Sequence, residues 1–166
     1  MSILENELEN ELENESTSDR VRRFSVRRSA VHGRGVFALQ PLRKGARILE
    51  YAGERISHRE ADLRSDGETH TMLFTVDEET VIDATREGNS ARWINHSCHP
   101  NCEAVDDGGR IYIEAIRAIR PGDELTYDYN LQLDRAHTPA AKREHACRCG
   151  APDCRGTMLG TRTPHP

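Results

Sequence analysis

The sequence predicts a mostly β, single-domain fold of irregular topology, and two observations carry that expectation. Short runs of alternating or β-branched residues recur between turn residues, with no regular strand–helix alternation separating them. The 166 residues, 36% of them hydrophobic, suffice for one core and are too few for two comfortable ones.

In chain order, RFSVRRS alternates weakly, and HGRGVFAL follows a glycine-rich turn with an apolar run. GARILEYAG is a further strand candidate, closed by Gly53. ISHREADLRSDG is the first helix candidate: Ser57 can cap it, Glu60 three residues later suits a capping box, and Gly67 stops it. TMLFTVDEETVIDA reads as a hairpin around the acidic turn Asp77 to Glu79. RIYIEAIRAI alternates cleanly up to the turn dipeptide Pro121-Gly122. ELTYDYNLQL is another strand candidate, and TPAAKREHA is a short helix candidate opened by Pro139.

Charge is unevenly placed. Residues 1–19 hold six Glu and one Asp without a Lys or Arg, so they carry −7 of a net −5. The remainder has 23 basic and 21 acidic side chains and is nearly neutral, which argues against a broad nucleic-acid footprint. ILENELENELENE places Leu4, Leu8 and Leu12 on one helical stripe. Neighbouring Glu side chains repel, however, and three leucines bury too little to offset ordering the chain. The expectation for residues 1–21 is an acidic low-complexity tail, disordered or only transiently helical. No apolar run approaches a membrane span, and the N-terminus lacks the basic start and apolar core of a secretory signal. A cytoplasmic protein is the resulting expectation.

Five cysteines, an odd number clustered in the second half, favour metal binding over a disulfide scaffold. CRCGAPDCRG gives Cys147, Cys149 and Cys154 within eight residues, and Gly150 and Pro152 let the chain turn back. Tetrahedral zinc needs a fourth ligand, for which Cys98, Cys102 and His145 are the candidates. Cys98 and Cys102 lie in RWINHSCHPNCEA, a dense run of reactive or metal-capable side chains.

Five stretches occur in order: HGRGVFA, EYAGE, VIDATREGNSARWINHSCHPNCEA, PGDELTYDY and CRCGAPDCRG. Over residues 22–157 they resemble the SET domain of protein lysine methyltransferases followed by a post-SET zinc-binding segment. The resemblance implies small irregular sheets around a knot-like core with few short helices. Its expected organisation is a SET domain over 22–135, a linker and post-SET segment over 136–160, and a flexible end over 161–166. It implies S-adenosylmethionine and a substrate lysine entering from opposite faces and meeting in a narrow channel. Gly33, Arg34 and Gly35 would line the methionine end of the cofactor. Asn95 and His96 would hold its amino and adenine ends, with Arg92 a further contact, or else simply a surface arginine.

The same resemblance makes Tyr129 the essential tyrosine and Tyr51 a second one lining the lysine channel, with core packing as the alternative for Tyr51. Methyl transfer to lysine is an in-line substitution that needs a neutral amine held at about 3 Å from the methyl carbon. A phenol of ordinary pKa about 10 suits orientation better than proton abstraction. Tyr127 stands where the family carries Phe or Tyr, and a Tyr there implies mono- or dimethylation. Cys98 becomes the fourth zinc ligand, Cys102 a buried non-ligand and His145 a linker residue. Trp93 replaces the usual Phe and is expected to fill the core. Met72 departs from an aromatic channel position. The expected function is protein-lysine N-methylation of a histone-like or other basic protein; the alternative is an inactive SET-like binding module. Neither nucleic acid nor membrane is an expected partner, and a monomer is the simplest state.

Overall fold

The computed structural model describes residues 22–65 and 72–161. The acidic tail with its leucine stripe, the helix-stopping Gly67 and residues 162–166 lie outside them.

Three small sheets make up the described fold. The first runs in the order β1 (Phe24–Arg28), β2 (Arg34–Ala38), β10 (Glu124–Tyr127), β7 (Asn95–His96). The second is β3 (Arg47–Glu50), β9 (Arg110–Ala115), β8 (Cys102–Asp107). The third is β4 (Glu54–Ser57), β6 (Thr80–Asp83), β5 (Leu73–Thr75). Two short helices, α1 (His58–Ser65) and α2 (Pro139–Glu144), and a 3-10 turn at Ser90–Trp93 complete it.

Local signals account for most boundaries. β1 and β2 pair antiparallel with Val26 opposite Val36, and β5 and β6 form the expected hairpin about Asp77–Glu79. The Ser57 hydroxyl accepts from the Glu60 N–H at 3.2 Å, as an N-cap should. Glu60 itself turns to Arg64 instead of completing the capping box. Thr138 caps α2 ahead of Pro139, accepting from Ala141 N at 3.2 Å.

Three elements depart from expectation. Ile56 and Ser57, read as a helix start, belong to β4, because they pair with Val81 and Thr80. β8 went unread, since CEAVDD has acidic residues where a strand pattern would have apolar ones. Its form comes from pairing with β9 across a two-residue turn at Gly108 and Gly109, both left-handed at φ +62° and +84°. β10 stops at Tyr127, and Leu131 makes only a single bridge, to Leu159.

Val36, Ile82, Ile94, Ile113, Ile119 and Leu125 are fully buried among the sheets. Each such side chain contributes roughly 2 kcal/mol of burial. Helix α1 is different, because among its residues only Ala61 is buried. Charge anchors it: Arg64 Nη1 lies 2.7 Å from Glu54 and 2.7 Å from the buried Asp83, while Nη2 meets Glu60. Burial pushes the Asp83 pKa up, but donors from Thr85 and Arg64 outweigh it and hold the carboxyl below its usual range. A depressed carboxylate pKa stabilises the fold above the unfolded value and loses that contribution as pH falls through the folded one. Arg64→Ala strands a buried carboxylate, so melting should drop by more than about 5 °C at neutral pH. Because protonation of Asp83 removes the stranded charge, the deficit should shrink as pH falls into the acid range, which circular-dichroism melts of both proteins between pH 3 and 7 will read.

Candidate functional site

The site is built where β7 lies beside β10. The two pair in parallel, Asn95 opposite Thr126 and His96 opposite Tyr127, and Ser97 N–H donates to Tyr127 O at 3.1 Å. Asn101 clips β10 from the other direction: its Nδ2 donates to Glu124 O at 2.8 Å and its Oδ1 accepts from Thr126 N at 2.9 Å. Asn101 is buried, and sequence reasoning passed over it. An Asn one residue before a cysteine carries no local signal for this role.

Asn95 is also buried, with its amide shared among His32 O at 3.1 Å, Arg34 O at 2.8 Å and Glu124 Oε1 at 2.8 Å. It therefore ties the Gly33–Gly35 turn to β10. Gly35 is required for this geometry, since a Cβ there would sit 2.2 Å from Glu124 Oε1. Gly33 is left-handed at φ +47° with open space beside it. Gly33 and Arg34, with Val26, Arg27 and Arg28, line a groove of about 540 Å³.

Four aromatic rings gather next to this junction. Tyr51 and Phe74 centroids are 5.1 Å apart, Phe74 and Tyr127 6.4 Å, and Tyr127 and Tyr129 5.0 Å. Tyr129 OH donates to Ile94 O at 2.6 Å, and Tyr51 OH to Met72 O at 3.3 Å. Phe74 is a member that sequence reading missed. Attention to Met72 as the departing position overlooked an aromatic two residues later, on the same face of an extended segment. Burial raises the pKa of Tyr51, Tyr127 and Tyr129 well above the ordinary phenol, so all three stay protonated at neutral pH.

His96 bridges this cluster to the cysteines. Its Nδ1 accepts from Tyr129 N–H at 3.0 Å and its Nε2 lies 3.4 Å from Cys98 Sγ. Because Nδ1 accepts, the neutral ring carries its proton on Nε2, facing the sulfur. Burial lowers the His96 pKa, which keeps the ring neutral. Trp93 is half-buried against the core, with the guanidinium groups of Arg34 and Arg92 at 5.2 and 5.0 Å from its ring. Arg92 donates through Nη1 to Ala84 O at 3.3 Å, while its Nε is buried without a partner.

Cys98, Cys147, Cys149 and Cys154 bring their sulfurs within 4.8 Å of one another. The Cys98 sulfur is 3.7 Å from that of Cys147 and 3.9 Å from that of Cys154. A tetrahedron with about 2.3 Å zinc–sulfur bonds has an edge of about 3.8 Å, so the donor set fits Zn²⁺. Backbone N–H groups point at three of the sulfurs: Arg155 at Cys98 (3.4 Å), Cys149 at Cys147 (3.4 Å) and Gly156 at Cys154 (3.3 Å). Such donors stabilise thiolate charge, as the outer shell of a metal site does. Cys102 lies apart from the cluster, wholly buried, its thiol pushed up to about 12 by desolvation. His145 caps α2, its Nδ1 3.0 Å from Ala141 O, and is not one of the four.

Residues 33–130 match the family described as SET domain. The histone-lysine N-methyltransferase, H3 lysine-4 specific, of Debaryomyces hansenii is 42% identical over 148 residues, covering 84% of this chain and 13% of that protein. The Saccharomyces cerevisiae protein of the same description is 44% identical over 140 residues, covering 79% and 13%. That of Schizosaccharomyces pombe is 42% identical over 139 residues, covering 78% and 14%. The chain thus spans 13 to 14% of the length of these relatives.

These relatives correct the cytoplasmic expectation. They are described as acting on histone H3, a chromatin protein, which implies the nucleus. The composition behind that expectation does not separate cytosol from nucleus, since both hold proteins without apolar spans. Among the described residues no helix is long and apolar enough to cross a membrane.

Proposed function

The chain belongs to the SET-domain family, and on that premise we propose that it is an S-adenosylmethionine-dependent protein-lysine N-methyltransferase acting on a histone-like or other basic protein. The observation that carries this reading is the placement of Tyr129. Its hydroxyl is held by Ile94 O, its amide by His96, and its ring packs beside Tyr127 at the edge of the aromatic cluster. In this reading residues 22–135 are the SET unit, and 136–160 a linker and zinc-closed segment. The substrate is a protein carrying the target lysine, and the near-neutral charge of residues 20–166 gives no reason to expect a nucleic-acid partner.

When bound, the cofactor supplies an electrophilic methyl group on a cationic sulfur. The residues present fit such a group. The orphaned Arg92 Nε is a buried donor suited to an anionic end, and the open Gly33 turn with Arg34 offers a backbone cradle. Asn95 and His96 complete that wall. Tyr51, Phe74, Tyr127 and Tyr129 form an aromatic sleeve for the lysine stem, their centroids spaced 5.0 to 6.4 Å apart. Tyr129, kept protonated by burial, orients the reacting groups through its hydroxyl and does not remove the proton. The lysine proton goes to water before attack.

Tyr127 sets the product. Its buried ring packs against Phe74 and Tyr129, and its hydroxyl lies where a growing methylammonium must expand. Displacing a well-held water or a direct polar contact with methyl groups is unfavourable, so transfer stops at mono- or dimethyllysine. The test is purified chain with labelled cofactor and histone H3, followed by mass spectrometry of products at long times. Wild type should stop at one or two methyl groups, and Tyr127→Phe should proceed to three. Efficient trimethylation by wild type, or an unchanged product distribution in the variant, overturns the product assignment; no transfer at all overturns the enzyme reading.

A further inference from the structure

We infer that Arg155 is a positioning residue for Tyr129, latching the cysteine-rich segment onto the end of β10 through Asp128. Its guanidinium forks onto the Asp128 carboxylate, Nη1 to Oδ2 at 2.7 Å and Nη2 to Oδ1 at 2.9 Å. Both side chains are about one-third accessible, at 32% each, so the pair is partly shielded and held in a fixed planar geometry. The same carboxylate accepts from Asn130 N at 2.9 Å, which supports a left-handed turn at Asn130, φ +45°. Asp128 thus occupies the position between the two tyrosines that line the sleeve.

The contacts close a ring. Arg155 N–H points at Cys98 Sγ, which faces His96 Nε2; His96 Nδ1 accepts the Tyr129 N–H; and Tyr129 follows Asp128 in the chain. Three segments far apart in sequence meet in it. The ring matters because the β10 ladder ends at Tyr127. Past that residue, Asp128 and Tyr129 are held by these contacts, by the Tyr129 hydroxyl on Ile94 O and by the packing of its ring on Tyr127 and His96, with no ladder beneath them. Without Arg155, the Asp128 carboxylate loses its fork, and the backbone beside Tyr129 is free to shift away from the geometry in which its N–H reaches His96 Nδ1. The tyrosine then loses one of its two anchors.

A surface ion pair of this exposure would count for little in overall stability. Its effect belongs to the rate, which is sensitive to sub-ångström placement of reacting groups. This inference rests on the methyltransferase reading for its kinetic arm only. The test compares the 166-residue wild-type chain with Arg155→Ala, Arg155→Lys, Asp128→Ala and the double alanine variant. Arg155→Ala should retain one zinc by metal analysis and change the KM for peptide by less than about threefold, while kcat falls roughly tenfold. Lysine restores the charge without the fork and should recover the rate only in part. The double variant should be no worse than the poorer single one. Amide hydrogen exchange supplies the independent readout: the Tyr129 N–H should exchange faster in Arg155→Ala, with Leu125 in β10 unchanged. Unaltered Tyr129 exchange, additive losses in the double variant, or loss of zinc from Arg155→Ala overturns the latch. If wild type transfers no methyl group, the enzyme reading fails, and the exchange comparison still decides the latch.

Discussion

Tyr129→Phe is expected to lower kcat for methyl transfer by about 10²-fold or more, with cofactor affinity nearly unchanged and a melting temperature modestly lower for the loss of one buried hydrogen bond. The substitution removes one hydroxyl and its 2.6 Å bond to Ile94 O, while the backbone bond to His96 and the ring contacts with Tyr127 and His96 remain. The lost group is one that meets the reacting atoms in the proposed mechanism, so its removal raises the barrier without emptying the core. The pH profile is a second check. Burial raises the Tyr129 pKa beyond the ordinary phenol, so its ionisation contributes nothing near neutrality. The rise in rate with pH should follow the substrate amine, whose reference pKa is about 10.4, and should have the same shape in wild type and variant. Steady-state kinetics from pH 7 to 9 read both predictions. A variant near the wild-type rate would show that the essential hydroxyl belongs to another residue.

Cys154→Ser should remove zinc and cost at least tenfold in activity while the strands persist. Four thiols that share one ion lose their tetrahedron when one becomes an alcohol, and even outer-shell changes at metal sites typically cost about 10- to 100-fold in affinity or activity. The damage should remain local. The core residues Val36, Ile82, Ile113 and Leu125 lie in the sheets, whereas Cys147, Cys149 and Cys154 lie beyond α2. Far-UV circular dichroism should therefore change little. Chelator treatment of wild type should reproduce the loss, and added Zn²⁺ should reverse it. Full activity in metal-free protein would rule out a zinc requirement.

The local signals in this chain lay within a few residues of what they determine. Cys147, Cys149 and Cys154 stand close enough in sequence to announce a metal site, and Ser57, Pro139 and the Asp77–Glu79 turn announce where elements begin or reverse. The order of the motifs was equally legible, and it identified the family before any contact was known. The fourth sulfur needed that resemblance, because 49 positions separate Cys98 from Cys147 and nothing between them sets their distance.

What only the tertiary structure decided depends on chain segments that meet across such gaps. The parallel pairing of β7 with β10 brings Asn95 and His96 beside Tyr127 and Tyr129; β7 could not be anticipated, since two residues carry no period. β8 is a strand because β9 offers it a ladder, against its acidic composition. Asn101, Phe74 and Arg155 acquire their roles in the same way, as a clip on β10, a wall of the aromatic sleeve and a fork on Asp128. The sequence by itself determined the family and three clustered cysteines; the resemblance it carries then supplied Cys98 as the fourth ligand and Tyr129 as the tyrosine proposed for the reaction. The structure decided how that tyrosine is held, because hydrogen bonds and ring contacts between distant segments are made by the fold and leave no local pattern in the chain.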